Sequence, residues 1–196
     1  MRTISGIVEY FNKAANDAKA NANKATQTLD RIKVIESSAA GVDMTGPIGL
    51  ARNVDSSKEK TITKSNLPVR GKSYASRLQP AGVADASCKI DGGEYVVTIS
   101  LKPESGRIYQ DNSYHGQVFT ITDGEGENDD LPGATKKAEF KISYSNASIV
   151  SRINRKTGRL NTSHYAFHQR IEGTIGTFAW VTYEIDVEDA YAFTWN

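Results

Sequence analysis

The chain holds a single cysteine, Cys88, so no internal disulfide can staple it and a packed core must supply its stability. It has no stretch approaching the roughly 20 apolar residues that a membrane-crossing helix needs. Net charge is almost absent as well, +1 over 196 residues, so no field draws nucleic acid or an anionic bilayer toward it. The opening Met1-Arg2-Thr3-Ile4-Ser5-Gly6 carries no apolar signal region. That leaves two expectations, a cytoplasmic protein or an exported one whose leader is gone and replaced by Met1. Hydrophobic residues make up only 38%, and the mean hydropathy is −0.48. A modest core with much surface follows, as in a sheet open on one face.

Catalytic signatures are missing too. No serine sits between glycines in a strained nucleophile turn, and no glycine-rich loop opens a helix to cradle phosphate. Cys88 has no recognisable partner histidine; alternation places it beside Ala86 and Ile90 as a small packed hydrophobe. His164 and His168 are four apart, but on a strand that puts them about 13 Å from each other, too far to share one ion. Their face, with Thr162, Ala166 and Arg170, reads as polar exterior, and His115 reads as structural. Glu184 and Asp186 share a strand face without any separation that would establish acid–base work. No catalytic residue is assigned, and a non-enzymatic protein is expected.

What the chain does have is alternation. Ala138, Phe140, Ile142 and Tyr144 interleave with Glu139, Lys141, Ser143 and Ser145, the period of a half-buried strand. Ser148 to Asn154 follows, then a turn at Arg155-Lys156-Thr157-Gly158. Arg159 to Ile171 aligns Tyr165, Phe167 and Ile171; Ala179 to Val187 aligns Val181, Tyr183 and Ile185; Tyr191 to Trp195 alternates again. Upstream, Val83 to Ile90 and Glu94 to Leu101 form a hairpin around Asp91-Gly92-Gly93.

The first residues follow a different period. Ile4, Ile7, Val8, Phe11, Ala14, Ala15 and Ala18 fall at helical spacing, predicting a helix from about Ser5, as its cap, to about Ala22. Its second half loses large apolar residues and is expected to fray or stand free. Thr26 to Glu36 reads as a strand, although Leu29, Ile32 and Ile35 also fit a helix. Ser37 to Leu50 and Pro103 to Asn112 read as loop, Lys58 to Lys64 as a short strand, and Ser73 to Leu78 as one or two helical turns. Tyr114 to Thr122 suits either a strand or a short buried helix.

Three features could bind something. Asp123, Glu125, Glu127 and Asp129 alternate through an acidic loop as calcium ligands do, but Asn128 and Ala134 stand where the helix-loop-helix pattern wants glycine and glutamate. Calcium is the one cofactor this loop would hold, and no other is expected. Aromatic residues crowd the last third; they form either sheet core or a concave apolar surface. On the second reading Phe11, Tyr165, Phe167, Trp180, Tyr183 and Phe193 line a site for a hydrophobic small molecule or a protein partner. Phe178 and Trp180 fall on the face opposite Val181 and Tyr183, where something should cover them. Asn146-Ala147-Ser148 and Asn161-Thr162-Ser163 match the glycosylation acceptor triplet, which has meaning only in a secreted eukaryotic protein.

Four blocks carry a resemblance: Ile7-Val8-Glu9-Tyr10-Phe11-Asn12-Lys13-Ala14-Ala15-Asn16, Leu67-Pro68-Val69-Arg70-Gly71-Lys72-Ser73-Tyr74, Tyr95-Val96-Val97-Thr98-Ile99-Ser100-Leu101-Lys102 and Ile153-Asn154-Arg155-Lys156-Thr157-Gly158-Arg159-Leu160. Their order resembles a group of uncharacterised secreted or lipid-anchored proteins of Gram-positive bacteria. The last block also resembles the curved-sheet domains of bacterial lipoprotein carriers, which hold acyl chains between a half-closed sheet and covering helices. The resemblance implies an extracytoplasmic, cell-envelope location and a lipid-like ligand. The chain departs from those families in showing neither a leader nor a lipid-attachment cysteine near its start.

The expected architecture is a single α+β domain: a curved, half-barrel-like antiparallel sheet with the N-terminal helix on its apolar face. Residues 1–24 form the helix, 25–134 mixed strands and loops, and 135–196 an antiparallel meander. The expected function is an extracytoplasmic binding domain that holds a hydrophobic ligand between sheet and helix. The alternative is a structural or protein-interaction module of the envelope with no small-molecule ligand.

Overall fold

The structure, a computed structural model, describes residues 3–107, 113–120, 140–175 and 179–196. Helix α1 spans Ile4–Asn21, and its cap is Thr3 rather than Ser5: Thr3 Oγ1 accepts the Gly6 N–H at 3.2 Å. Ile7, Val8, Phe11, Ala14, Ala15 and Ala18 form one buried stripe at 3.6-residue spacing. The second half therefore neither frays nor stands free. Its alanines allow the helix axis to approach its neighbours closely, and Lys19, after them, is buried too.

Strands follow at β1 (Lys24–Ala39), β2 (Val42–Asp43), β3 (Val54–Ser56), β4 (Lys60–Ile62), β5 (Val83–Asp91), β6 (Glu94–Leu101), β7 (Glu104–Arg107), β8 (Phe140–Asn154), β9 (Leu160–Ile175) and β10 (Ala179–Thr194). They form one antiparallel sheet in the order β2-β1-β10-β9-β8-β6-β5, with β3 and β4 along β1 and β7 along β8. The sheet is open and curved, not a closed barrel, and α1 covers its inner face. The expected α+β architecture is the observed one.

Long strands bend where an extra residue breaks the ladder. In β8 the register shifts between Ser145 and Ser148, and Asn146 takes a φ of +52°. The two segments that sequence alternation separates at this point are one bulged strand, so Ile142, Tyr144, Ala147 and Ile149 are all buried despite the change of phase. The fourth and fifth alternating segments likewise merge into β10. Strand β1 carries two shifts of its own against β10, between Gln27 and Leu29 and between Val34 and Glu36.

Two loop expectations and two others are corrected. Residues 37–50 complete β1, turn into β2 and enter a short helix, α2 (Thr45–Arg52). Residues 104–107 are β7, which extends the line of β6 to pair with the first half of β8. Residues 73–78 are not helical, although Ala75, Ser76 and Leu78 are buried under α1 as a docked segment should be. Their backbone groups are engaged by the helix instead. Asn16 accepts from the Ala75 and Ser76 N–H groups (2.8 and 2.9 Å) and donates to the Ser76 carbonyl; Asn12 donates to the Leu78 carbonyl. Residues 113–120 form turns, neither strand nor helix. In β5, Ala86 and Cys88 pack on the core as alternation implies, but Ile90 is exposed.

Candidate functional site

The inner face of the sheet is set by cross-strand register. Tyr165 stands opposite Ile149 of β8 and Asp189 of β10, and Phe167 opposite Val187. Phe11 of α1 is fully buried in the same cluster as Tyr165, with Phe167 and Phe193 packed against it. Phe119, from the turns at 113–120, wedges into the same layer, its ring 5.1 Å from Phe167 and 5.9 Å from Tyr165. Of the six proposed lining residues, four are thus brought together: Phe11, Tyr165, Phe167 and Phe193. Tyr183 lies farther along the same face, half-buried, opposite Ile171 and Ser37. Trp180 points to the other face and is 55% exposed. The four converging rings touch side chains of the protein itself, with Leu67, Leu78, Val118 and Ile99 among the fillers.

His115 is part of this layer, in the structural role its sequence context suggests. The ring is fully buried and stacks on Tyr144 at 4.6 Å and on Phe119 at 5.7 Å. Glu104 of β7 turns inward to meet it: its carboxylate accepts the backbone N–H groups of Tyr114 and His115 and lies 3.1 Å from His115 Nδ1. Burial lowers the His115 pKa, against the opposing pull of Glu104. Its Nε2 has no hydrogen-bond partner among the described residues. The same burial raises the Tyr144 phenol well above its ordinary value.

A second polar group interrupts the apolar face. Asp189 of β10 is flanked in register by Tyr165 on β9 and Asp30 on β1, two carboxylates directly across a strand pair. Burial, reinforced by the Asp30 charge, pushes Asp189 up to about 6. Gln27 Nε2 donates to it at 3.1 Å, and Arg70 opposes the rise. Tyr191 and Tyr165 beside it are also raised by burial, Tyr165 to about 12.

The outer face carries ion pairs. Arg170 of β9 contacts Glu184 of β10, Glu172 of its own strand (3.1 Å) and Glu36 of β1 (3.6 Å). His168 Nδ1 lies 2.8 Å from Asp186, and its Nε2 3.7 Å from Glu184; His164 faces Glu188 at 3.7 Å. The polar exterior read for this face is observed. Glu184 is engaged with Arg170 and Asp186 with His168 there, contacts that tie neighbouring strands together.

Among the described residues no three His, Cys, Asp or Glu side chains gather to hold a metal ion. Asp123, Glu125, Glu127 and Asp129 lie outside the described residues, as does Phe178. A groove of about 320 Å³ runs between α1 and the β8–β9 turn, lined by Tyr10, Lys13, Ala14, Asp17, Thr157 and Gly158. Its charged rim suits polar contacts better than an acyl chain. Of the two acceptor triplets, Asn146 is exposed on the β8 bulge, whereas Asn161 donates to Glu94 at 2.7 Å. No described helix is long and apolar enough to cross a membrane.

No protein-family model matches the chain, and no curated protein or solved structure matches it.

Proposed function

We propose that the protein is a non-enzymatic, extracytoplasmic binding domain whose contact surface is made for a protein partner, at the β1 margin of the sheet. The supporting observation is where exposed apolar side chains fall. Of the eight large hydrophobics exposed among the described residues, four lie in β1 and the segment after it: Ile35, Val42, Leu50 and Val54. A fifth, Trp180, adjoins them, its carbonyl accepting the Ala40 N–H at 2.9 Å. Leu50 on α2 is 94% exposed. Single exposed apolar residues are ordinary on protein surfaces, but their concentration at one margin supports a contact surface there.

The competing reading, a lipid-like ligand held between α1 and the sheet, needs room where Phe11, Leu67, Leu78 and Phe119 now stand. The titratable groups that could serve chemistry, His115, Glu104, His168 and Glu184, are committed to stacking and ion pairs, which favours binding over catalysis. The extracytoplasmic location rests on the resemblance of the four sequence blocks.

The test has two arms. Native mass spectrometry of the purified protein gives the bare chain mass on this reading; a co-purified lipid would overturn it in favour of the ligand-holding domain. Leu50→Glu and Trp180→Ser should leave the melting temperature unchanged and abolish retention of a partner bound by the wild type from an envelope extract. Equal retention by the variants would refute the assignment of this margin.

A further inference from the structure

The two edges of the sheet are treated differently. The β1 edge is blocked along its length. Strand β2 pairs with Ser38 and Ala39, β3 with residues 30–32, and β4 with residues 25–27. The gap left between them is closed by α2 and its flanks: Asn53 Oδ1 accepts the Val34 N–H at 2.7 Å, and Thr45 Oγ1 accepts the Ser37 N–H at 2.9 Å. At the other end β5 pairs with β6 on one side and with no strand on the other among the described residues. A strand edge paired with no other strand presents a row of backbone donors and acceptors to any chain that can match it.

Charge decides which chain matches. On the outer face of β5 stand Asp85, Ser87 and Lys89, with Asp85 and Lys89 exposed. Their neighbours across β6 are Ser100 and Val96, neither of them charged. Asp85 and Lys89 are four residues apart on one strand, about 13 Å, and cannot neutralise each other within one chain. A second copy of the strand, antiparallel and centred on Ser87, brings Asp85 opposite Lys89 at both ends of the pair. Sliding the register by two residues would put like charges together, Asp85 against Asp91, or leave the lysine without an acid. Edge charges ordinarily prevent strand pairing; here they permit one register and one partner.

We propose that β5 is a homodimerisation edge, through which two copies pair antiparallel about a two-fold axis at Ser87 and continue the sheet from one protomer into the next. The two inner faces, each with its α1, then lie on the same side of the joined sheet, and the β1 margins point outward at opposite ends. Pairing through an isologous edge closes after two copies and leaves no growing end at β5. The inference is independent of the partner surface proposed above, which lies at the other edge.

Sedimentation equilibrium of the full chain and of charge variants tests it. Asp85→Lys sets two lysines against each other at each end of the strand pair, and Lys89→Asp sets two aspartates there. Each should weaken dimerisation about tenfold or more, since two attractive cross-strand pairs become repulsive. Mixing the two variants pairs the all-lysine strand with the all-aspartate strand and should return a heterodimer of wild-type affinity. Ser87→Cys in a Cys88→Ala background should form an intermolecular disulfide on mild oxidation, because the two positions face each other at the axis. A wild-type chain that stays monomeric to the solubility limit overturns the proposal. So does a dimer indifferent to both charge variants, which would place the contact elsewhere.

Discussion

Lys19 and Val69, 50 residues apart in sequence, are joined under the helix: Lys19 Nζ donates to the Val69 carbonyl at 3.0 Å, while Val69 itself sits at a φ of +58°. The same ammonium donates to the carbonyls of Pro68 at 3.2 Å and Leu67 at 3.4 Å. A β-branched residue in the left-handed region is strained. The lysine gathers three carbonyls, one of which, that of Val69, also accepts the Lys72 N–H, and so holds the strained turn beneath α1. Burial lowers the Lys19 pKa, the cost of placing a charge there.

Replacing Lys19 by Met keeps the aliphatic stem and removes the donors. We expect a loss of about 1–3 kcal/mol in urea unfolding, the penalty for leaving buried acceptors unmatched. Amide exchange should quicken at Lys72, whose N–H bonds the Val69 carbonyl. Unchanged exchange at that amide would mean the turn holds itself.

Asp189 gives a pH dependence with a definite sign. Its folded value, about 6, lies above the ordinary 3.8, so the folded protein binds this proton more tightly than the unfolded chain. The stabilisation is complete below about pH 4 and disappears as pH rises through 6. Thermal unfolding should therefore show a contribution of roughly 2 kcal/mol gained between pH 7 and pH 4 at this site. Asp189→Asn should flatten that slope and raise the melting temperature at pH 7.5. An identical slope in the variant would contradict the assignment.

The β1–β2 turn is made by Ala40 and Gly41, both at positive φ, +51° and +79°. Two-residue hairpins of this kind favour Asn-Gly, because an alanine Cβ is crowded there. Ala40 is exposed, and Ala40→Asn should stabilise the domain by about 0.5–1 kcal/mol. A shift of the denaturation midpoint to lower denaturant would show that the turn is not strained.

Phe11 is the helix side chain that joins α1 to the aromatic layer, and it is fully buried. Truncation to Ala should cost about 3–5 kcal/mol in chemical denaturation. A loss under about 1 kcal/mol, the range of a surface change, would mean that the layer closes over the gap without the helix.

The long strands were readable because each has one wet face and one dry face, which period-two alternation records directly. Alternation is local, however, and treats any change of phase as an end. Ser145 to Ser148 changes phase because β8 bulges, and the strand continues past the change. Helix α1 was readable from its 3.6-residue stripe, but Ala14, Ala15 and Ala18 carry too little bulk to advertise that they are buried. The aromatic layer was half legible. Tyr165 and Phe167 follow from the strand pattern, whereas Phe119 and His115 come from a turn segment whose course no periodicity describes. Trp180 was read correctly as facing away from Tyr183; grouping both in one site required a face they do not share.

Composition, periodicity and the positions of turn glycines such as Gly158, at a φ of +72°, were enough to determine that this chain builds an antiparallel sheet with one amphipathic helix against it, since each of these acts over a few neighbouring residues. Which strands meet, that β1 closes against β10 at the far end of the chain, that Lys19 reaches the carbonyl of Val69, and that two aspartates face each other at 30 and 189 were decided only in three dimensions. Those contacts join residues tens to more than a hundred positions apart, and their energies depend on burial and register that no local pattern encodes.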